Sequence, residues 1–441
     1  MQPYAQRRER AMAAFEDGVA LIPSAKTVYR SNDTTYPFRQ DSDFFYLTGF
    51  DEPDAFLVLA AHHPEQRTVL FLRERDRDRE IWDGERLGVE RAAAELGVDA
   101  AYPIGELEER LPAYLAGAAT LHYAFGERAS DDGVVRRALE LARERTRRKG
   151  RAPHRFAEPS LVLHELRLIK SAQEIETLRR ACEITRRGHV AAMRATRPGL
   201  YEYDIAAILE SEFRRGGAQS VAYEPIVAGG DHATVLHYVR NRDRLEPGTL
   251  LLVDSACELD CYATDVTRTW PVDGRFNPEQ RAIYDVVLAA QAASIDAVRP
   301  GAGRMEFHDA AVRTIVEGLI DVGLLRGSVD ENVEQEKYRK FYMHGTGHWL
   351  GLDVHDVGAY RDAEDRPTVL RPGMVTTVEP GVYVHRDTDC DERFKGIGVR
   401  IEDDVLVTEN GNENLTAAIP KRAEEIEEIV GSDARVTAVS R

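Results

Sequence analysis

Four carboxylates at the ends of apolar runs are the first chemistry visible in this chain. Asp254 closes LLLV (250–253) and Glu379 closes VTTV (375–378), while Asp265 and Glu402 sit in the strand-like runs that follow, YATDVTRT (262–269) and VRIEDDVLV (399–407). An unpaired buried carboxylate is costly. Each acid therefore needs a partner, either a guanidinium such as Arg268 or Arg400 or a cation held between several acids. Were all four to converge, like charge at close range would force protonation, whereas divalent ions would neutralise it.

Histidines add to this pattern. Of 13 in the chain, His344, His348 and His355 fall in HGTGHWLGLDVHD (344–356), read as a loop passing into a strand, with three glycines that permit close backbone approach. His237, in VLHY (235–238), is a fourth candidate and is read on a strand. Four acids with one imidazole form a hard, oxygen-rich donor set. It suits Mn²⁺ or Mg²⁺, with Zn²⁺, Co²⁺ or Fe²⁺ as competitors. Two such ions about 3.5–4 Å apart would hold a hydroxide and polarise a carbonyl, which points to hydrolysis of an acyl bond.

The four cysteines, Cys182, Cys257, Cys261 and Cys390, contain no C-x-x-C pair and are too sparse for a disulfide framework. Cys257 and Cys261 are spaced like a thiolate pair but lack a second pair, so packing is the expected role. A reducing, cytoplasmic setting follows as an expectation. No apolar run approaches the ~18 residues of a spanning helix, and the N-terminus has no signal-peptide core, so the mature chain is expected to start at Met1. With 58 Lys+Arg against 76 Asp+Glu, the net charge of −18 disfavours nucleic acid and anionic membrane surfaces as partners.

The elements that must position these groups occupy 441 residues, more than one hydrophobic core usually serves. Strands are expected at Gly18–Ile22, Phe44–Leu47, Phe56–Ala60, Val69–Leu72 and Thr120–Phe125, with helices near 88–96, 106–116 and 131–149. This is a mixed α/β domain over 1–160, closed by a linker from Gly150 to Pro159. The basic stretch Arg143 to Arg151 reads as a solvated helix end. A second domain, 161–441, opens with a capping box at Ser171 and Glu174 and a helix that stops at Arg197-Pro198-Gly199. A helix at about 202–214 follows, and a later one begins at Asn277-Pro278 and stops at Arg299-Pro300-Gly301. LEPGTLLLVD (245–254) aligns without gaps on LRPGMVTTVE (370–379). The second domain therefore reads as two related halves, which would place the four acids around a pseudo-twofold axis.

With TVEPG (377–381), these acids and the histidine motif resemble the M24 pita-bread metallopeptidases. YPFRQDSDFFYLTGF (36–50) and IWDGERLG (81–88) narrow the resemblance to the bacterial-type aminopeptidase P (Xaa-Pro aminopeptidase) family, over about Arg30 to Ile419. The resemblance implies an α+β fold: a C-terminal pita-bread domain of creatinase/aminopeptidase type with an internal duplication, preceded by a smaller α/β domain. It implies two divalent ions, foremost Mn²⁺: Asp254 and Asp265 at the first, Asp265, His348, Glu379 and Glu402 at the second, with Asp265 and Glu402 bridging. Glu379 would also shuttle the proton. His237, His344 and His355 would hold substrate and the developing oxyanion, and Tyr383 and Arg400 would orient the acids. Family members commonly have Ala-Gly after the first aspartate, where this chain has Ser255-Ala256.

The implied reaction removes the N-terminal residue from peptides whose second residue is proline, in a dimer or tetramer. Trp82 is read either as part of a neighbouring subunit's pocket or as a core residue. A prolidase restricted to Xaa-Pro dipeptides is the nearest rival. Methionine aminopeptidase is disfavoured by the large first domain, and a non-catalytic pita-bread binding module by the retention of all five ligand positions.

Overall fold

The computed structural model describes residues 3–148 and 150–433. Its contacts divide the chain into two units, Met1–Arg167 and Leu168–Arg441. The first is built on a six-stranded mixed sheet, ordered in space as Ala100–Pro103, Thr68–Leu72, Phe56–Ala60, Gly18–Pro23, Thr120–His122 and Arg155–Ala157. Phe56–Ala60 and Thr68–Leu72 are buried along their whole length, which is why they read as continuous apolar runs rather than alternating ones. Helices Leu107–Leu115 and Ala129–Thr146 contribute Leu111, Leu115, Val135 and Leu139 to the same core.

Several expectations for this unit are corrected. Phe44–Leu47 is not a strand but part of helix Ser42–Thr48, started by Asp41, whose carboxylate accepts from Phe44 N at 2.9 Å, and ended by Gly49 at φ 64°. A short apolar run is ambiguous between the two structures, and here the caps decide. The Gly150–Pro159 segment is more than a linker, since Arg155–Ala157 pairs in parallel with Thr120–His122 at the sheet edge. Trp82, on the short helix Arg77–Asp83, is 84% exposed and is no core residue of this chain.

In the second unit the expected capping box forms at Ser171/Glu174 and the expected N-cap at Asn277, where Gln280 completes a second box, starting helices Ala172–Ala195 and Pro278–Ala297. Helices Glu202–Arg215 and Met305–Asp321 complete the principal helical set. Leu250–Asp254 pairs antiparallel with Thr267–Pro271, and Val375–Val378 pairs antiparallel with Asp403–Thr408. In each half the strand that leads to the first acid, Asp254 or Glu379, pairs with the strand that follows the second, Asp265 or Glu402. The apolar sides of Leu251, Val253 and Trp270 pack with Ile283, Val287 and Ile315 from the helices. Among the described residues, no helix is long and apolar enough to cross a membrane.

All four acids stand at breaks in these ladders. Asp254 is the last residue of its strand and Glu379 follows Val375–Val378. Asp265 lies between Tyr262–Ala263 and Thr267–Pro271, and Glu402 between Ile397–Arg400 and Asp403–Thr408. The histidine motif differs from expectation: His344 to Asp356 forms no strand, and its pairing with the sheet is limited to the isolated bridge Trp349 to Thr376 and hydrogen bonds around it. Nor is His237 on a strand; it lies in a turn after the 3-10 helix Gly230–Thr234.

Candidate metal centre

The ladder breaks and the glycine-rich loop open onto one cavity of about 300 Å³. Its wall includes Asp254, Asp265, His348, Glu379 and Glu402, together with His237, His344, His355 and Arg400. Among the described residues, Asp265, His348 and Glu402 each offer a ligand atom, all within 4.8 Å of one another. His348 Nε2 lies 3.2 Å from Asp265 Oδ2 and 3.7 Å from Glu379 Oε1.

The loop carrying His348 is laced to the strand before Glu379. His348 N donates to Thr377 Oγ1 at 3.0 Å, Thr377 N to the His348 carbonyl at 2.9 Å, and Glu379 N to the Thr346 carbonyl at 2.8 Å. This approach requires glycine at 347, because a Cβ there would lie 2.0 Å from Thr377 O. The imidazole is then oriented by its Nδ1, which donates to the Trp349 carbonyl at 2.9 Å and leaves Nε2 facing the acids.

Each acid has polar neighbours that fix its direction. Asp254 accepts from Arg400 Nη2 at 2.6 Å and from the Tyr223 hydroxyl at 2.5 Å. Glu402 accepts from Thr267 Oγ1 at 2.6 Å, and that threonine in turn accepts from Arg400 Nε at 3.0 Å. Glu379 accepts from Thr377 Oγ1 at 3.3 Å, and Asp265 N donates to the buried Asp404 carboxyl at 3.2 Å. Tyr383 stands behind Arg400 and His344: its hydroxyl accepts from Arg400 Nη1 at 3.1 Å and donates to His344 Nε2 at 2.9 Å.

Electrostatics explain why such a cluster calls for cations. Among the residues lining the cavity, four carboxylates face one permanent cation, Arg400. Burial, reinforced by the charges of Asp265, Glu379 and Asp254, pushes the Glu402 carboxyl well above its ordinary range. Burial and the Asp265 charge also raise Glu379, to about 7, although His348 opposes them. Burial would lower His348, but its hydrogen bond to Asp265 and the charges of Glu379 and Asp265 push it up to about 9. In a cluster without metal, protons thus substitute for missing positive charge. Divalent ions would supply that charge instead, and the oxygen-rich set with one imidazole fits them.

His344 has the opposite character. Burial and the nearby Arg400 charge push it down to about 3, so it is neutral, with Nδ1 donating to the Gly345 carbonyl at 2.7 Å. His355 is lowered by burial and by His348, whose ring it meets edge-on at 4.3 Å. All the expected site residues except Tyr383 line the cavity, and Tyr383 stands directly behind His344 and Arg400. Tyr223, Thr267 and Thr377 were not anticipated. The threonines had a weak signal, two residues after Asp265 and two before Glu379, whereas nothing in the sequence pointed to Tyr223.

Comparison with known proteins places this geometry in context. The sequence pattern described as "Metallopeptidase family M24" matches residues 176–409, and that described as "Aminopeptidase P, N-terminal domain" matches residues 4–123. The Xaa-Pro aminopeptidase of Escherichia coli is 46% identical over 431 residues, covering 97% of each chain. Among solved structures, an aminopeptidase from Pseudomonas aeruginosa superposes with a TM-score of 0.95 at 46% identity, covering 98% of both chains. A variant of Escherichia coli aminopeptidase P in complex with substrate gives 0.94 at 45% identity, covering 99% of both.

Proposed function

Because the chain belongs to metallopeptidase family M24, in its aminopeptidase P branch, we infer that it is a metal-dependent exopeptidase. It removes the N-terminal residue from peptides whose second residue is proline. The observation that carries the reading is the convergence of four carboxylates and the Nε2 of His348 on one cavity, beside one guanidinium and three further histidines. The second unit is the pita-bread catalytic domain and the first is the smaller α/β domain of the same family.

In this reading Asp254, Asp265 and Glu402 would hold one divalent ion and Asp265, His348, Glu379 and Glu402 would hold a second. When bound, the ions supply Lewis acidity for the scissile carbonyl and acidify the attacking water. The residues of the chain do the rest. Glu379, which lines the cavity with the other acids, would take a proton from the attacking water and return it to the departing proline nitrogen. That return matters because the leaving group is a secondary amine. His237, His344 and His355 face the space where the pyrrolidine and the developing oxyanion would lie. Proline has no amide N–H, so its pocket needs no acceptor for one. Arg400 holds Asp254 in place and, through Tyr383, steadies His344.

The hard donor set favours Mn²⁺ as the working metal. A cytoplasmic homo-oligomer is part of the same proposal: Cys182, Cys257, Cys261 and Cys390 form no disulfide, and the exposed Trp82 is available to complete a neighbour's pocket.

A peptide panel tests the activity: Xaa-Pro, Xaa-Pro-Yaa, Xaa-Ala-Yaa and Met-Ala-Yaa, each with Mn²⁺, Co²⁺ and Zn²⁺. Release of Xaa from Xaa-Pro-Yaa and its loss in Glu379→Ala are expected. Cleavage confined to Xaa-Pro dipeptides would make the protein a prolidase, and full activity in Glu379→Ala would overturn the proton-transfer role.

A further inference from the structure

The turn that carries His237 hangs on one side chain outside the metal cavity. Glu202, the first residue of helix Glu202–Arg215, is fully buried. A carboxylate in that position must be met by donors, and four of them come from a single stretch, 229–243. Oε1 accepts from Gly229 N and from His232 Nδ1, both at 3.0 Å. Oε2 accepts from the Tyr238 hydroxyl at 2.8 Å and from Asp243 N at 2.9 Å. Glu202 N also donates to the Asp243 carbonyl at 2.9 Å. Gly229 and Asp243 bracket the stretch, while His232 and Tyr238 stack inside it, centroids 4.1 Å apart and planes 17° from parallel.

The opposite side of this loop rests on the metal-site sheet. A Cβ on Gly398 would lie 2.1 Å from the Ala233 carbonyl oxygen, so strand Ile397–Arg400 meets the 3-10 helix backbone to backbone. Arg400 Nη2 donates to the Leu236 carbonyl at 3.4 Å and, with the same nitrogen, to Asp254 at 2.6 Å. The loop is therefore held from behind by Glu202 and in front by Arg400. His237 lies beside Tyr238, one of the four residues anchored to Glu202.

We propose that Glu202 is a positioning residue for the reaction, setting the place of His237 relative to the acid cluster. The role rests on the reading of His237 as a substrate-binding side chain. Glu202 touches no reacting atom, and its effect passes through the loop. An error of ~1 Å in such placement is worth on the order of 10²-fold in rate.

The test is a double-mutant cycle on an Xaa-Pro-Yaa peptide with Glu202→Gln and His237→Ala. Glu202→Gln keeps the volume but turns an NH₂ toward two donors. We expect it to lower kcat/KM by on the order of 10²-fold, with metal content close to wild type and Tm reduced because two buried donors lose their acceptor, and to add little in the His237→Ala background. An unchanged kcat/KM, or an equal loss in both backgrounds, overturns the proposal. If Glu202→Gln does not fold, Tyr238→Phe, which removes one of the four donors, replaces it in the same cycle. Hydrogen exchange supplies a readout independent of activity: residues 229–243 should exchange faster in the variant while 250–254 do not. If wild type fails to cleave any Xaa-Pro peptide but this exchange difference is present, the functional reading fails and the anchoring stands. Unaltered exchange at 229–243 removes the anchoring itself.

Discussion

Arg268 and Asp403 form an ion pair with no solvent exposure on either side chain, Arg268 Nη2 donating to Asp403 Oδ1 over 2.6 Å. The pair joins the two halves of the catalytic unit, since Arg268 Nη1 also donates to the Glu402 carbonyl at 2.6 Å. Asp403 further accepts from Gln291 at 2.6 Å, Thr416 at 2.8 Å and Lys421 at 2.5 Å. Burial would raise this carboxyl, but the charges of Arg268 and Lys421 hold it well below the usual carboxylate range. Asp403→Asn leaves a buried guanidinium without its counter-charge. It should cost about 3–5 kcal/mol of stability, measured by chemical unfolding, and a loss under 1 kcal/mol would mean the pair is not the junction it resembles.

The same pair shows where legibility ended. The residues alone left Arg268 and Arg400 as equal candidates to neutralise the strand acids, and only the family resemblance singled out Arg400. Side chains alternate along strand Thr267–Pro271, and because Thr267 faces Glu402, Arg268 points to the other face, toward Asp403. That choice depends on register between strands about 135 residues apart, which no local pattern encodes. The five residues proposed as ligands, all of which line the one cavity, could be picked out because metal chemistry restricts residue type and the aligned segments repeat the frame. Tyr223 and Glu202 were not, since each is an ordinary residue made special by distant partners. Phe44 to Leu47 misled for a local reason, the run being too short to show a period.

Metal retention should depend steeply on Asp265, which the proposal places at both ions. Asp265→Ala and His348→Ala are expected to lose bound divalent ion on dialysis and to lower activity at least 10²-fold, the scale of losses on perturbing a metal's surroundings. Elemental analysis reads the first and peptide cleavage the second. Stripping wild type with a chelator should also lower Tm, because an ion that binds only the folded state stabilises it by mass action. A Tm unchanged after stripping would remove the ions from the folded-state balance.

His189 sets a pH limit on stability. It is fully buried, Nε2 donates to the Ser255 carbonyl at 2.8 Å beside Asp254, and Nδ1 has no partner. Burial pushes it down to about 3, against about 6.5 in an unfolded chain. Between these values the unfolded state binds the extra proton, so stability is complete above about pH 6.5 and falls by about 1.4 kcal/mol per unit below it. His189→Gln should flatten that slope between pH 6 and 4 relative to wild type. Parallel slopes in urea titrations would show that other groups carry the acid sensitivity.

Gly347 and Gly345 are two residues apart in the same loop, yet alanine should affect them very differently. At 347 the added methyl would sit 2.0 Å from Thr377 O, whereas at 345 nothing lies within 4 Å of a Cβ. The loop 346–349 is bonded to 375–379 through Thr377, Glu379 and the Trp349–Thr376 bridge, so separating the two backbones moves His348 away from Glu379. Overpacking a well-filled contact costs about 1–3 kcal/mol, and backbone cannot swing aside as a flexible side chain can. Gly347→Ala should therefore lower both Tm and metal content, while Gly345→Ala keeps both near wild type. Equal behaviour in the two variants would show that the lacing of loop to strand does not set the His348 position.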